Sequence, residues 1–218
     1  MKRYETLDLI EEVLIFIEFS VGLICYMKLD KAYRIFFLYT CVSLFHVIIF
    51  FLMWNPVSIN IEWYSITLLG ASFYLLFLLN ALKIHKIKRN FLLFIASLSI
   101  LIITEIILIG INTYRISMVD TISNFFLLVL TFRVLIENLK TNHDFKNKSI
   151  FFILVSQIQF IIVNIIYNIV LFFTYYYQLN NNNVKISIIL QISSIITSLC
   201  ISIAYICSPR KEIFLKHS

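Results

Sequence analysis

Seven stretches of about twenty mainly apolar residues, each long enough to cross a bilayer core about 30 Å thick, constrain this chain more than any other feature. They run over residues 9–27, 35–54, 63–82, 91–112, 117–137, 150–173 and 186–207, and together take up about two thirds of the 218 residues. Six short connections and two short tails hold the remainder. No stretch is long enough for a soluble domain, so residues 1–218 are expected to form a single seven-helix transmembrane domain. Inside hydrocarbon a helix satisfies its own backbone hydrogen bonds, and the alternating ten-residue segments of a membrane β-barrel are not seen. The expected fold is an all-α integral membrane protein: three antiparallel hairpins plus a final helix.

Composition supports this. Hydrophobic residues make up 61% of the chain and charged residues only 14%, where a soluble domain carries about 25% charged residues. Three glycines and two prolines exclude collagen-like and linker-rich classes. The four cysteines form no C-x-x-C pair, which argues against a disulfide scaffold or a zinc knuckle. No cofactor is implied. The net charge of +6 is spread over short clusters and forms no basic surface for nucleic acid. The bilayer itself is the first expected partner.

The connections alternate in basic content. Lys28, Lys31 and Arg34 separate the first two spans, Lys83, Lys86, Lys88 and Arg89 the third and fourth, and Lys140, Lys146 and Lys148 the fifth and sixth. Arg210, Lys211 and Lys216 lie in the C-terminal tail, so these four regions hold 13 of the 18 positive residues. The positive-inside rule then puts the N-terminus outside and the C-terminus in the cytoplasm. Trp54, Trp63, Tyr64, Tyr114 and Tyr175 to Tyr177 gather at the expected outer interface, as an aromatic belt should. The first run contains Glu18 and lacks a small-x-small cleavage site, so it reads as a permanent helix rather than a signal peptide.

Only Gly22, Gly70 and Gly110 fall within spans, and neither proline interrupts one. Continuous helices are expected, which disfavours transporters built on broken helices. Packing must then come from hydroxyl and amide side chains. Ser187, Gln191, Ser194, Ser198 and Ser202 recur at steps of 4, 3, 4 and 4 and share one face of the last span. Gln157, Asn164 and Asn168 share a face of the sixth. The simpler reading of both faces is interhelical glue, worth about 0.6–2 kcal/mol per bond; a hydrophilic pathway is the other. Lys28, Lys83 and Lys140 close the odd-numbered spans at spacings of 55 and 57 residues; bilayer thickness is the simpler explanation of that period and an internal duplication of hairpins the other.

Ionisable groups inside a bilayer are costly, about 2.5–3.5 kcal/mol on insertion scales, so each raises a question of function. Glu18 lies near the middle of the first span, His46 near the middle of the second, and Glu105 two thirds along the fourth. Were they to meet, they could relay protons; the plainer alternative is that each fastens neighbouring helices. No metal is implied, because one His and two Glu are a thin ligand set. Arg133 lies one turn from a span end and can snorkel. Asp120 and Glu137 sit at the two ends of the fifth span, and Glu11 and Glu12 at the outer boundary of the first, where water is expected to reach them.

No nucleophile elbow, P-loop, H-E-x-x-H or dinucleotide glycine pattern occurs, and the last span lacks the central lysine of a retinal Schiff base. In bare layout the chain looks like the seven-helix input domains of prokaryotic signalling proteins, without the kinase or cyclase such domains carry. The favoured expectation is therefore a sensing or regulatory module, or an accessory subunit, that acts through another membrane or cytoplasmic protein. A transporter or proton channel using Glu18, His46 and Glu105 is the alternative, and an intramembrane enzyme the third. Richness in Ile, Phe, Asn and Lys is what AT-rich coding produces, so a prokaryotic cell membrane is the expected location.

Overall fold

A computed structural model of the chain describes residues 2–52, 56–81, 87–109, 118–141, 148–176 and 183–208. Seven α-helices make up the fold among these residues: α1 Lys2–Cys25, α2 Lys31–Leu52, α3 Pro56–Ala81, α4 Ile87–Ile109, α5 Met118–Thr141, α6 Lys148–Tyr176 and α7 Asn183–Ile206. Each corresponds to one expected span, with boundaries shifted by up to four residues except at the starts of α1 and α3, which come seven residues earlier. Within α3–α7 the segments 64–81, 89–107, 118–137, 149–171 and 188–206 are long and apolar enough to cross a membrane. The chain is an all-α membrane bundle.

Local chemistry fixes several helix ends. Pro56 occupies the first position of α3, where its missing N–H costs nothing. Asp120 in the first turn of α5 and Lys140 in its last complement the helix dipole. Between α1 and α2 a short 3₁₀ turn, Tyr26–Lys28, leads into Leu29, which is fully buried. Arg34 fastens this turn: its Nε donates to the Leu29 carbonyl at 2.9 Å and its Nη2 to the Met27 carbonyl at 3.1 Å. Its guanidinium also lies 5.3 Å from the centre of the Tyr26 ring, within cation–π range.

Helix contacts run in a circuit: α1 packs on α2, α2 on α3, α3 on α5, α5 on α6, α6 on α7, and α7 back on α1. α4 stands outside this six-helix ring, in the groove between α3 and α5. Large apolar side chains cover the outer surface as well as filling the core, and hydroxyl and amide groups share the interior with them. Ile24, Met27 and Ile107 are more than 70% exposed, whereas Thr40, Thr131, Ser149 and Gln157 are at most 1% exposed. Such an arrangement is stable only where the surrounding solvent is itself apolar, because lipid provides no drive to bury Ile or Leu between helices.

Interior hydroxyls are satisfied in two ways. Ser72, Thr131, Thr197 and Ser202 donate back to the carbonyl four residues earlier in their own helices. Hydroxyl pairs also join helices: Tyr33 bonds Ser149 across α2 and α6, and Tyr74 bonds Thr131 across α3 and α5 at 2.9 Å. Since the Thr131 proton is already given to Leu127, the Tyr74 hydroxyl donates.

Candidate functional site

The six ring helices enclose a cavity of about 820 Å³, and α4 contributes nothing to it. The cavity occupies the half of the bundle where α1, α3, α5 and α7 begin, and reaches about mid-depth. On α1 it is lined by Glu11, Glu12 and Ile15, on α2 by Tyr39, Val42 and Ser43, and on α3 by Thr67, Gly70 and Tyr74. Asp120, Ser123, Asn124 and Leu127 of α5, Gln157, Phe160 and Asn164 of α6, and Ser194 of α7 complete the wall. Its acids stand on two helices that face each other across the ring, α1 and α5. Among the described residues no lysine, arginine or histidine lines it.

The floor is aromatic. Tyr39 and Tyr74 lie 5.7 Å apart between ring centres, and both rest on Phe36, at 5.5 and 6.2 Å. Phe36 in turn packs on Phe77 at 4.9 Å and on Tyr205 at 6.3 Å. Beyond this layer, toward the end carrying Lys28 and Lys140, Tyr33, Leu78, Ile153 and Leu154 are at most 1% exposed. The ring is hollow at one end and packed solid at the other.

Asp120 is the most deeply held acid of the wall. It accepts the Asn168 amide at 2.8 Å and lies 3.5 Å from that of Asn164, so the polar face of α6 docks onto the first turn of α5. Water was expected at this position, and the structure corrects that reading: Asp120 is only 8% exposed, because α6 covers the start of α5. Asn124, one turn on, faces the same carboxyl, and its buried amide nitrogen has no partner that meets hydrogen-bond geometry. A buried, unpaired donor is costly, about 1–3 kcal/mol, which makes this atom conspicuous in a cavity wall.

Glu18 and Glu105 hydrogen-bond to different elements. Glu18, 5% exposed, accepts the Thr40 hydroxyl at 2.8 Å and is also bonded by Ser198, joining α1 to α2 and α7. Thr40 spends its one proton on Glu18, so the Tyr205 hydroxyl, 2.8 Å away, donates to Thr40. Glu105, 6% exposed, accepts the backbone N–H groups of Met118 and Val119 at 3.0 and 3.1 Å. It caps the N-terminus of α5 from α4, taking two amides that no helix turn can satisfy. The backbone of His46 lies in α2, while its side chain falls outside the described residues, as does that of Ser187.

The remaining polar positions divide between the cavity and the packing seams. Gln157 (1% exposed), Asn164 and Ser194 line the cavity; Ser198 serves Glu18, and Ser202 bonds back to the Ser198 carbonyl. Gln191 lies half-buried in α7. Arg133 is 65% exposed and paired with Glu137 at 3.3 Å, away from the cavity. Sequence reading missed the lining roles of Glu11, Glu12, Asp120 and Asn124. The signal was present in the spacing of Asp120, Ser123, Asn124 and Leu127, a helical face at steps of 3, 1 and 3.

The Glu105 cap makes a direct prediction. Glu105→Ala leaves the Met118 and Val119 N–H groups without their acceptor and should cost about 1–2 kcal/mol, the range of a lost N-cap. Glu105→Gln retains one acceptor oxygen and should lose about half as much. Thermal unfolding of the purified protein in one detergent checks the order; an alanine variant as stable as the parent would remove the capping role.

Comparison of this chain with protein-family models, with curated proteins and with solved structures finds no match. Its function must therefore be argued from the site.

Proposed function

We propose that this chain is a sensing or regulatory membrane module that receives a small ligand in the cavity and passes the effect to a partner protein. The observation that carries this reading is the one-ended interior: a cavity walled by six helices above a tightly packed aromatic floor. A ligand seated there touches all six at once, so any preference it has for one helix arrangement shifts the population of the whole ring. A cavity of this size falls within the range of small-molecule sites, about 300–1,000 Å³.

Lys/Arg placement orients the bundle with the cavity outward and the basic connections in the cytoplasm of a prokaryotic cell. The basic end, with Lys28, Lys31, Arg34 and Lys140, then faces the partner that reads the ring. The continuous helices suit small shifts between packed neighbours better than the opening of a gate.

Transport is the second reading, favoured by one contact. Tyr39, which lines the cavity floor, lies within electrostatic range of both Asp120 and Glu18. The Glu18–Thr40–Tyr205 chain therefore begins just past the floor. Reconstitution into liposomes loaded with a pH dye and with potassium, under an imposed gradient of each, separates the two. The sensing reading expects leak no faster than that of protein-free liposomes. Proton or potassium flux that scales with protein content would replace it with the transport reading.

A further inference from the structure

We propose that the cavity binds a flat aromatic molecule whose polar edge donates a hydrogen bond through N–H or O–H. This inference rests on the reading of the cavity as a ligand site and deepens it by naming the ligand's chemistry. The cavity has two unlike sides. In the six-helix circuit α2 stands opposite α6, so the α2–α3 and α5–α6 pairs form two separate arcs of the wall. The first arc contributes Val42, Val47, Ile66 and Ala71, and Ser43 within it turns its hydroxyl to the Tyr39 carbonyl of its own helix at 3.4 Å. The second contributes Asp120, Ser123, Asn124, Gln157 and Asn164. A molecule that fills such a space has an apolar body toward α2 and α3 and a polar edge toward α5 and α6.

The edge donates because Asp120 orients the amides beside it. Its carboxyl accepts the Asn168 nitrogen at 2.8 Å, lies 3.5 Å from that of Asn164, and is faced by Asn124. An amide that turns its nitrogen to Asp120 turns its carbonyl oxygen away from it. In Asn124 and Asn164, which line the cavity, that oxygen is a hydrogen-bond acceptor and nothing else. An N–H or O–H on the ligand meets such an oxygen favourably, whereas an ether or carbonyl in the same place sets oxygen against oxygen. Asp120 is thus a positioning residue for the two amides.

The body is aromatic because its neighbours are. Tyr39 and Tyr74 form the floor and Phe160 stands in the α6 wall. Gly70 presents no side chain beside Tyr39, where an added methyl would already stand 3.6 Å from Cε2 of that ring. Stacked and edge-on contacts with a second aromatic system are what such rings favour.

The probe is 2-phenylindole, which has a flat aromatic body and one N–H. 2-Phenylbenzofuran has the same outline with an oxygen in place of that N–H, and acetamide has the donor without the rings. Binding to the full-length protein in lipid nanodiscs, with protein-free nanodiscs as the reference for partition into lipid, should be saturable for 2-phenylindole and weaker for 2-phenylbenzofuran by roughly tenfold. Asn124→Leu and Asn164→Leu should each shrink that preference, and the double variant should abolish it, while 2-phenylbenzofuran binds all three as it binds the parent. Asn168 keeps its bond to Asp120 in every variant, so α6 remains fastened to α5. Glu137→Gln, an exposed acid outside the cavity, should leave the preference unchanged.

Equal or tighter binding of 2-phenylbenzofuran, or an undiminished preference in the double variant, would overturn the donor edge while leaving a ligand-binding cavity in place. Acetamide binding as tight as that of 2-phenylindole would overturn the aromatic body. Absence of saturable 2-phenylindole binding would overturn the inference outright. Selective 2-phenylindole binding by a protein that also passes protons or potassium would uphold this site and instead remove the sensing reading.

Discussion

Phe36→Ala is expected to lower the stability of the bundle by about 3–5 kcal/mol, the range for a large aromatic removed from a packed interior. Phe36 is fully buried and touches four other rings, Tyr39, Tyr74, Phe77 and Tyr205, so its loss leaves a void between α2, α3 and α7. Lipid surroundings weaken the transfer part of that cost, because the side chain would be apolar-solvated in either state. The void part remains, and here it cannot be relieved by collapse. The Tyr74 hydroxyl is tied to Thr131 and the Tyr205 hydroxyl to Thr40, so neither ring can swing into the space without giving up an interhelical bond. Phe36→Leu, which fills most of the volume, should cost only about 1 kcal/mol. Thermal unfolding in a single detergent, with gel filtration to confirm the monodisperse state, gives the comparison; an alanine variant within about 0.5 kcal/mol of the parent would mean that the floor is not packed as described. The same variant bears on function, since the void lies directly under the cavity. If the floor is what closes the ring, Phe36→Ala liposomes should leak protons where parent liposomes do not.

How much of this could be read from residues alone depended on range. Apolar run length is a local property, set by bilayer thickness, and it located all seven helices, although α1 and α3 each begin seven residues before the expected span. The polar faces of α6 and α7 were visible as helical periodicity, because a side chain's angular position is also local. What those faces meet is not local. Asn164 and Asn168 come from one helix and Asp120 from another, 44 and 48 residues away, and nothing in the spacing of either announces the pairing. Asp120 looked wet because it stands three residues inside its apolar run; Asn164 and Asn168 of α6 cover it. Glu105 shows the opposite case. Its depth in the fourth span marked it for attention, but its partners are backbone amides, and backbone amides carry no signature in a sequence. Order around the ring, with α4 outside, is a property of packing, and the alternation of basic loops is indifferent to it.

Two glycines that look alike in the sequence should respond in opposite directions, and the larger response belongs to Gly22. A methyl group added at Gly22 would stand 2.5 and 2.6 Å from Cδ2 and Cε2 of Phe37 and 3.0 Å from Cε2 of Tyr205. Phe37 cannot step aside easily: it is stacked on Phe19 at 5.6 Å, set against Tyr26 at 5.4 Å and edge-on to Tyr205 at 6.1 Å. α1 itself must move away from α2 and α7. Gly22 lies one turn beyond Glu18 on the same face, so that movement also stretches the bonds from Glu18 to Thr40 and Ser198. Overpacking of this kind costs about 1–3 kcal/mol for a methyl, and the interhelical bonds at risk add about 0.6–2 kcal/mol each. Gly22→Ala should therefore lose at least about 2 kcal/mol, and Gly22→Leu should fail to give a monodisperse protein. At Gly70 the same methyl would meet only Cε2 and Cδ2 of Tyr39, at 3.6 and 3.9 Å, an ordinary contact. Gly70→Ala then removes the helix cost of glycine, about 0.5–1 kcal/mol, and should leave the protein as stable as the parent or more so. Equal melting temperatures for the two alanine variants would contradict the close approach of α1 to α2 and α7, and with it the geometry that holds Glu18 in the interior.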